Sequence, residues 1–477
     1  MMRSKEIGRR QLLAGTAATM LLSGAPALAR SARQATLTLG QGSRGATIPA
    51  DFLGLSYEAA QLANPAFFAP TNRALVALFR ELSPSGNLRI GGGSSAYATY
   101  TPVAPAGPPP FETFGPDTSK TVKHQTVISD QALRNLRAFL DATGWRCLYG
   151  LDLARDSKEN AAAEAAAAQR ILGDRLVAVQ IGNEPDSYRT HYRSATWGPA
   201  DFVREWNVFH DAIAAAAPGI SFAGPDISNK LDYLTAFAAD ARRHRDVVML
   251  TAHYYALGPA GSPDATIAQL LSDDPREATL HPAGLPIIAA ARAQTGLPFR
   301  VSEGNSCWNG GQPGVSDTFA SALWCADTML QFARRGWAGF NLHGGGNGYY
   351  TPIAGAPSTG FKRRPEYFGM RFAQMFSGGT FLPVSASGLP PGVSLYALDQ
   401  RGDRRAVIIN KGPSPIMMRL PVPSRGSVVL TGPSLANKEG TRLDMRHRSG
   451  ATRVTVPPFT AAAYTLDGDR SIDISDN

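Results

Sequence analysis

Apolar, β-prone runs alternate with helical patterns along the first three quarters of the chain. The helical patterns have apolar residues at three- and four-residue spacing and fall at 72–82, 130–142, 159–172, 201–217 and 318–335. The runs between them are almost continuously apolar, as expected for parallel strands buried on both faces. These runs lie at 52–58, 88–92, 146–153, 176–181, 222–227, 247–255, 299–303 and 339–343.

This alternation predicts an α/β fold of the (β/α)8 barrel type, because eight strand–helix units close naturally into a barrel. An open doubly wound sheet is the alternative, and it would usually carry a glycine-rich phosphate-binding turn after its first strand. Here the first run ends in Glu58-Ala59-Ala60 instead. We therefore expect the barrel to span residues 51–375.

The pattern changes near residue 376, where helical periodicity gives way to short β-prone runs. Gly, Pro and Asn-Lys turns separate these runs, which predicts an antiparallel β-sandwich domain at 376–467. An N-terminal strand within residues 30–50 is expected to join the same sheet, and the polar residues 468–477 are expected to be disordered. The runs fall at 380–384, 393–398, 406–409, 417–420, 428–430, 453–456 and 461–466.

Residues 1–29 have the features of a targeting segment and are left out of the fold prediction. Arg9 and Arg10 precede an apolar stretch at 12–22, which is too short to span a membrane as a mature helix. A small-residue cleavage site follows at 27–29. The arginine pair indicates a twin-arginine export signal and therefore a periplasmic or secreted protein of a bacterium, without a membrane anchor in its mature form.

Charge and cysteine content narrow the function classes. Of the formal charge of +9, a net +3 lies in residues 1–29, so the remaining chain carries about +6. This charge mildly favours acidic substrates, but the absence of any basic run of five or more residues gives no indication of nucleic-acid binding. The chain has three cysteines, an odd and sparse set that forms no disulfide framework.

Two of the apolar runs end in a glutamate that a chain-breaking residue follows. Glu184 lies in an Asn-Glu-Pro tripeptide after the fourth run, and Glu303 precedes a glycine after the seventh. Active sites of such barrels lie at the carboxyl ends of the strands, where the fourth and seventh strands face each other. Paired carboxylates across a cleft are what cleavage of a glycosidic bond requires, since one protonates the leaving oxygen and the other attacks the sugar carbon.

Several ordered motifs make the resemblance to a known family specific. Catalytic glutamates on strands four and seven resemble those of the large barrel clan of retaining glycosidases. Together the motifs resemble glycoside hydrolase family 79, the heparanase and β-glucuronidase family, over residues 52–376. They are Leu82-Ser83-Pro84, Leu88-Arg89-Ile90-Gly91-Gly92, Gly182-Asn183-Glu184-Pro185, His253-Tyr254-Tyr255, Gly310-Gly311 and Ser316-Asp317-Thr318-Phe319-Ala320.

The resemblance implies roles for individual residues. It implies that Glu184 is the acid/base, that Glu303 is the nucleophile and that Asn183 binds the sugar 2-hydroxyl. Either Tyr254 or Tyr255 is expected to donate a hydrogen bond to the nucleophile, because alternate residues of a strand point to opposite faces, and the motif favours Tyr255. Glu58, at the end of the first run, is expected to accept hydrogen bonds from sugar hydroxyls.

Specificity is where the sequence departs from the family pattern. Members that recognise a glucuronate carboxylate commonly have a tyrosine and then glycines shortly after the nucleophile, and this chain has Trp308 at the corresponding position. Tryptophan keeps an aromatic face and an N–H donor but has no hydroxyl. Backbone amides of Asn309 and Gly310, with a hydroxyl from Tyr349 or Tyr350, are the remaining candidates for holding a carboxylate.

The sequence therefore predicts a retaining β-glycoside hydrolase, with a β-glucuronide as the favoured carbohydrate substrate. A family member acting on neutral β-glucosides is the first alternative. A glycan-binding protein without activity is the second, although such a protein has no need for two facing carboxylates. Neither a metal nor an organic cofactor is implied.

Overall fold

The chain from Ala32 onward forms one compact unit in the computed structural model. The structure describes residues 33–113, 125–273, 284–344, 347–446 and 450–467. The predicted export signal and the predicted C-terminal tail both lie outside these residues. Within the described part of the chain, no helix is long and apolar enough to cross a membrane.

Eight parallel strands close into a barrel, with each strand hydrogen-bonded to the next along the chain. The last strand pairs with the first, so the described barrel has no open edge. These strands are Leu53–Glu58, Asn87–Gly91, Arg146–Leu151, Leu176–Ile181, Phe222–Ile227, Val247–Pro259, Phe299–Trp308 and Gly339–His343. The predicted (β/α)8 barrel is confirmed.

Helices surround the barrel, and side-chain caps mark where several of them begin. The Ser129 and Ser157 side chains accept backbone N–H bonds from the first turns of their helices. Gly144 ends one helix with φ 81°, and a Cβ there would lie 2.5 Å from the Pro84 carbonyl oxygen. The helices are Arg73–Leu82, Asp130–Thr143, Lys158–Leu172, Pro199–Ala216, Leu231–Ala241, Ile267–Leu270, Gly284–Thr295, Phe319–Arg334 and Pro365–Gln374.

Several of these helices are not predicted by the sequence pattern. Leu231–Ala241 is apolar on more than one side, and Gly284–Thr295 is rich in alanine, so neither shows a narrow apolar stripe. Pro365–Gln374 begins with proline at its first position, where the missing N–H costs no helical hydrogen bond. Their apolar composition reflects burial against neighbouring elements, which periodicity alone does not reveal.

A curled nine-stranded sheet follows the barrel. Its strands are mostly antiparallel, and the N-terminal strand Arg33–Leu39 adds a parallel pairing to Ile416–Thr431. The sequence analysis divided that long strand in two because prolines interrupt it, but the ladder continues past them through register shifts. The strands are Arg33–Leu39, Thr380–Phe381, Val384–Ser387, Val393–Gln400, Asp403–Asn410, Ile416–Thr431, Arg442–Arg446, Ala451–Val456 and Thr460–Leu466. The predicted second, β-sandwich-type part of the fold is confirmed.

Alternation along the strands gives this sheet two buried faces. Val407 and Ile409 belong to the core that is continuous with the barrel, whereas Ala406 and Ile408 belong to a separate core inside the sheet. Helix Phe319–Arg334 lies between barrel and sheet and is buried on almost every side. The sheet thereby braces the helix that follows the strand carrying Glu303.

Candidate active site

Glu184 lies just beyond the end of the fourth barrel strand. Its backbone is strained, as is that of Asp226, which holds it in place. The Glu184 backbone is left-handed, with φ 51°, and its amide donates to the carbonyl oxygen of Asp226 at 2.9 Å. Asp226, in the fifth strand, also has a left-handed backbone, with φ 59°. Non-glycine residues rarely adopt this conformation, and when they do they concentrate at functional sites.

Glu303 lies within the seventh strand rather than at its end. The prediction that this strand ends at Glu303 is wrong, since residues Glu303 to Trp308 pair with His253 to Pro259 of the sixth strand. Gly304 does not break the strand, because its missing side chain allows a close approach of backbones. A Cβ there would lie 2.2 Å from the Tyr254 carbonyl oxygen.

The two glutamates meet across the barrel mouth. One carboxylate oxygen of Glu184, one of Glu303 and a ring nitrogen of His253 all lie within 4.8 Å of one another. Glu303 is buried, while the Glu184 side chain keeps 30% of its surface exposed. Carboxyl groups roughly 5–5.5 Å apart are typical of glycosidases that retain anomeric configuration, because no water fits between acid and sugar.

A fully buried arginine of the second strand links the groups around the two glutamates. Arg89 donates to Glu303 Oε2 at 2.6 Å, to Asn183 Oδ1 at 2.7 Å and to Asp226 Oδ2 at 2.5 Å. Burial alone would lower the pKa of Arg89, but Asp226 and Glu303 outweigh it and raise that pKa. Arg89 is therefore a permanent positive charge beneath the site.

His253 lies between the acidic residues. Its Nδ1 is 3.0 Å from Glu184 Oε1, and its Nε2 is 3.2 Å from Asp226 Oδ1. Burial lowers its pKa, but the charges of Glu303 and Asp226 prevail and raise it to about 10. The imidazole thus carries a proton at neutral pH, and it bridges Glu184 to the Asp226 and Arg89 network.

The two glutamates have opposite pKa shifts. Burial is the largest influence on both, and for Glu184 it prevails and raises the pKa. For Glu303 the nearby charges of His343, His253 and Arg89 outweigh burial and lower the pKa to about 2. The shifts thus favour a proton on Glu184 and an ionised Glu303, the pairing expected of a general acid and a nucleophile.

Tyr255 rather than Tyr254 contacts Glu303. The Tyr255 hydroxyl donates to Glu303 Oε1 at 2.9 Å, whereas the Tyr254 ring packs against Phe332 and Phe340. Of the two adjacent tyrosines, it is therefore Tyr255, on the inward face of its strand, that donates the hydrogen bond to Glu303.

The first and eighth strands supply a further polar wall. Glu58 accepts hydrogen bonds from Ser94 and lies 3.4 Å from His343 Nε2, while His343 Nδ1 is 3.7 Å from Glu303 Oε2. Tyr350 is buried with its ring 5.7 Å from that of His343. Glu58 is therefore connected to Glu303 through a single histidine.

Two loops meet beside this wall. The Tyr349 amide donates to the Gly310 carbonyl at 2.5 Å, and a Cβ on Gly311 would lie 3.0 Å from the Tyr350 Cβ. Asn309 and Gly310 are both left-handed, with φ 59° and 84°. Tyr350 is thus the loop tyrosine that joins the cluster, while Tyr349 is half-buried and Trp308 keeps 43% of its surface exposed.

Sequence reasoning gave no role to several residues of this network. Arg89 had a signal, since a charge inside an apolar run that is buried on both faces needs a buried partner. Asp226 had none, and neither had Ser302, whose hydroxyl donates to Asp226, because polar residues also occur at the ends of ordinary strands. His253 belongs to one of the motifs, but its contact with Glu184 is visible only in three dimensions.

Comparison with known proteins gives two relatives named β-glucuronidase. This chain is 25% identical over 318 residues to one from Aspergillus niger, a match that covers 61% of this chain and 57% of the relative. It is 26% identical over 311 residues to one from Neurospora crassa, covering 59% and 54%. The match thus spans little more than half of either relative. No family model matches the chain.

Solved structures agree on the fold. A 4-O-α-L-rhamnosyl-β-D-glucuronidase from Fusarium oxysporum aligns with a TM-score of 0.69 at 17% identity, covering 91% of this chain and 100% of that one. An arabinofuranosidase of glycoside hydrolase family 51 from Xanthomonas axonopodis aligns at 0.66 and 14%, with the same coverage. At such low identities the similarity establishes only the shared fold, a barrel followed by a sheet.

Proposed function

We propose that this chain is a retaining β-glycoside hydrolase of family 79 that removes terminal β-linked glucuronic acid. The observation that carries the proposal is the pair Glu184 and Glu303, with carboxylate oxygens within 4.8 Å and pKa values shifted in opposite directions. The relatives named β-glucuronidase support both the reaction class and the sugar.

In the first step, Glu303 attacks the anomeric carbon while Glu184 donates its proton to the departing oxygen. The glycosidic bond breaks as a glycosyl–enzyme ester forms. In the second step, Glu184 removes a proton from water, which attacks the anomeric carbon and releases Glu303. Arg89 and Tyr255 orient Glu303 and keep it ionised between turnovers.

Recognition of the sugar falls to the polar wall around the nucleophile. Asn183, held by Arg89, is placed to meet the 2-hydroxyl, and Glu58 to accept from a hydroxyl further along the ring. For the carboxylate we propose the Tyr350 hydroxyl with the amides of Asn309 and Gly310. The hydrogen bond from the Tyr349 amide to the Gly310 carbonyl supports this choice, because it holds together the two loops that carry these donors.

A neutral β-glucoside is the second candidate substrate. It is favoured by Trp308, which offers no hydroxyl where the family pattern has a tyrosine. A glycan-binding protein without activity fits less well. Such a protein gains nothing from a strained Glu184 backbone and an ionised Glu303 buried beside it.

We also propose export through the twin-arginine route, on the basis of Arg9, Arg10 and the apolar stretch that follows them. A carbohydrate outside the cytoplasm would then be the natural partner. Fusion of residues 1–29 to a reporter, with Arg9 and Arg10 replaced by lysine in the control, tests this part separately. Retention of the lysine control together with export of the native fusion is expected.

Matched aryl β-glucuronide and β-glucoside substrates test the reaction. We expect hydrolysis of the glucuronide, with the first-formed sugar observed by NMR in the β configuration. Release of the α anomer would contradict double displacement. Preference for the glucoside would select the second candidate, and turnover of neither would favour binding without catalysis.

A further inference from the structure

A second group of histidines and carboxylates lies at the opposite end of the barrel. His210 is in the last turns of helix Pro199–Ala216, and His244 and Asp246 precede the sixth strand. The Asp246 carbonyl accepts from the Phe222 amide at 2.8 Å, at the start of the fifth strand. His253 is six residues beyond Val247 on the same strand, so roughly 20 Å separate this cluster from the candidate active site.

His210 has a carboxylate at each of its ring nitrogens. Its Nδ1 lies 3.0 Å from Asp211 Oδ1, and its Nε2 lies 3.2 Å from both oxygens of Asp246. A neutral imidazole has one N–H, so one nitrogen would present a lone pair to a carboxylate. That contact is repulsive unless a proton or a metal cation lies between the two groups.

His244 brings a second imidazole to the same place. Its ring centroid is 4.4 Å from that of His210, and its Nε2 lies 3.3 Å from Asp240 Oδ2. Two adjacent imidazolium ions would repel each other, whereas one divalent cation satisfies both rings and Asp246 together.

The donor set fits a transition metal. One nitrogen of each histidine and one oxygen of Asp246 all lie within 4.8 Å of one another. The 3.2 Å between His210 Nε2 and Asp246 matches the edge of a tetrahedron whose ligands lie ~2.0–2.2 Å from zinc. The contact of Asp211 with His210 Nδ1 is the outer-shell carboxylate that commonly orients a ligating histidine.

We propose that His210, His244 and Asp246 form a zinc-binding site at the amino-terminal end of the barrel. The Asp246 side chain is 34% exposed, which gives the ion a route in and leaves the fourth position to water. The site joins helix Pro199–Ala216 to the entrance of the sixth strand. Its role is to hold these elements together, since it lies far from the reacting groups.

Zinc titration of the tag-free protein after dialysis against a chelator tests the proposal. We expect one equivalent of Zn²⁺ to bind per chain and to raise Tm by about 2–5 °C. Co²⁺ at the same site is expected to give the visible absorption of a tetrahedral complex. Activity on an aryl glycoside should remain unchanged with or without zinc.

Variants separate coordination from surface binding. Asp246→Asn and His244→Ala should abolish both the zinc-dependent rise in Tm and the cobalt spectrum, whereas Asp211→Asn should weaken binding about 10–100-fold. Asp232→Asn, an exposed carboxylate of a neighbouring helix, is the matched control and should bind as the native protein does. Native protein that binds no stoichiometric zinc, or an Asp246→Asn variant that binds equally well, would overturn the proposal.

Discussion

At each end of the barrel a histidine lies among carboxylates, but the groups that balance the negative charge differ between the two ends. At the carboxyl ends of the strands, His253 lies between carboxylates that also contact the buried guanidinium of Arg89. At the amino ends, the polar groups that contact His210 are carboxylates, and the ring of His244 lies beside it. The first end has a buried guanidinium among its carboxylates. At the second, the guanidinium of Arg243 pairs with Asp240, and the zinc ion that we propose supplies the charge between His210 and Asp246.

This difference matters for the proposed mechanism, in which Glu303 has to be ionised before it attacks, while Glu184 gives up its proton and takes one back in each turnover. A guanidinium remains charged at all relevant pH values and cannot dissociate from the site. The opposite end has no reacting group to regulate, so an exchangeable ion is sufficient there. The following experiments test whether charge at the catalytic end acts on catalysis and charge at the other end on stability.

Removing the nucleophile should have the largest effect. Glu303→Gln keeps size and shape but cannot form the glycosyl–enzyme ester, so kcat should fall on the order of 10⁵-fold. A mechanism-based fluorosugar should label Glu303 in the native protein, as peptide mass spectrometry can establish. Labelling of another carboxylate, or near-normal turnover by the variant, would refute the assignment.

Loss of the acid should depend on the leaving group. Glu184→Ala should reduce hydrolysis of substrates with basic leaving groups by about 10³-fold, and that of activated aryl glycosides much less, because only a basic oxygen needs the proton. Added azide should restore the second step and yield a glycosyl azide. A uniform loss across leaving groups without rescue would mean that Glu184 is structural.

Replacing the permanent cation sharpens the comparison between the two ends. Arg89→Lys keeps the charge but loses the forked geometry that contacts Glu303, Asn183 and Asp226 at once, so kcat should fall about 10²-fold. Tm should fall as well, since the carboxylates stay buried with fewer partners. Asp246→Asn at the opposite end should lower Tm in zinc and leave kcat unchanged. Loss of kcat in both variants would remove the distinction.

The pH dependence follows from the two shifts. Glu303 must be ionised and has a pKa lowered to about 2, so activity should be lost only as pH falls toward that value. Glu184 must be protonated and has a raised pKa, so activity should fall as pH rises through it. In Glu184→Gln, the alkaline limb of kcat/KM for an activated aryl glycoside should disappear. Persistence of that limb would assign it to another group.

The free energy of unfolding should depend on pH through Glu303, whose pKa is lowered in the folded state. The folded state favours the ionised carboxylate, so this stabilisation is complete above the ordinary value of 4.5 and is lost as pH falls toward about 2. In Glu303→Gln the Tm should therefore depend less on pH over that interval, as thermal unfolding at a series of pH values can measure. An identical acid dependence in both proteins would contradict the assigned shift.

The sequence predicted the barrel because parallel strands buried on both faces must be apolar throughout, and that requirement is local to each strand. It also predicted a candidate pair, since Asn-Glu-Pro after one such run and a glutamate in another are unusual in apolar segments. The network around Asp226 could not be predicted, because it joins the second, fourth, fifth and sixth strands. The prediction that the seventh strand ends before Gly304 was wrong, because glycine ends some strands and in others allows close packing of the backbones.

The smallest expected effect concerns Trp308 and decides between the two candidate substrates. The Trp308 side chain is 43% exposed at the end of the seventh strand, next to the left-handed turn at Asn309 and Gly310. If the Tyr350 hydroxyl and the neighbouring amides hold the substrate carboxylate, Trp308→Tyr should change the glucuronide-to-glucoside ratio of kcat/KM only a few-fold, which is about 1 kcal/mol or less.

The Tyr350→Phe variant is the matched comparison, because it removes the hydroxyl proposed to hold the carboxylate and keeps the buried ring beside His343. A site that leaves buried donors unpaired discriminates strongly, so this variant should lower the glucuronide-to-glucoside ratio more than Trp308→Tyr changes it. A large rise in the ratio with Trp308→Tyr, and none of the expected fall with Tyr350→Phe, would transfer carboxylate recognition to position 308. The native protein would then be the family member that acts on neutral β-glucosides.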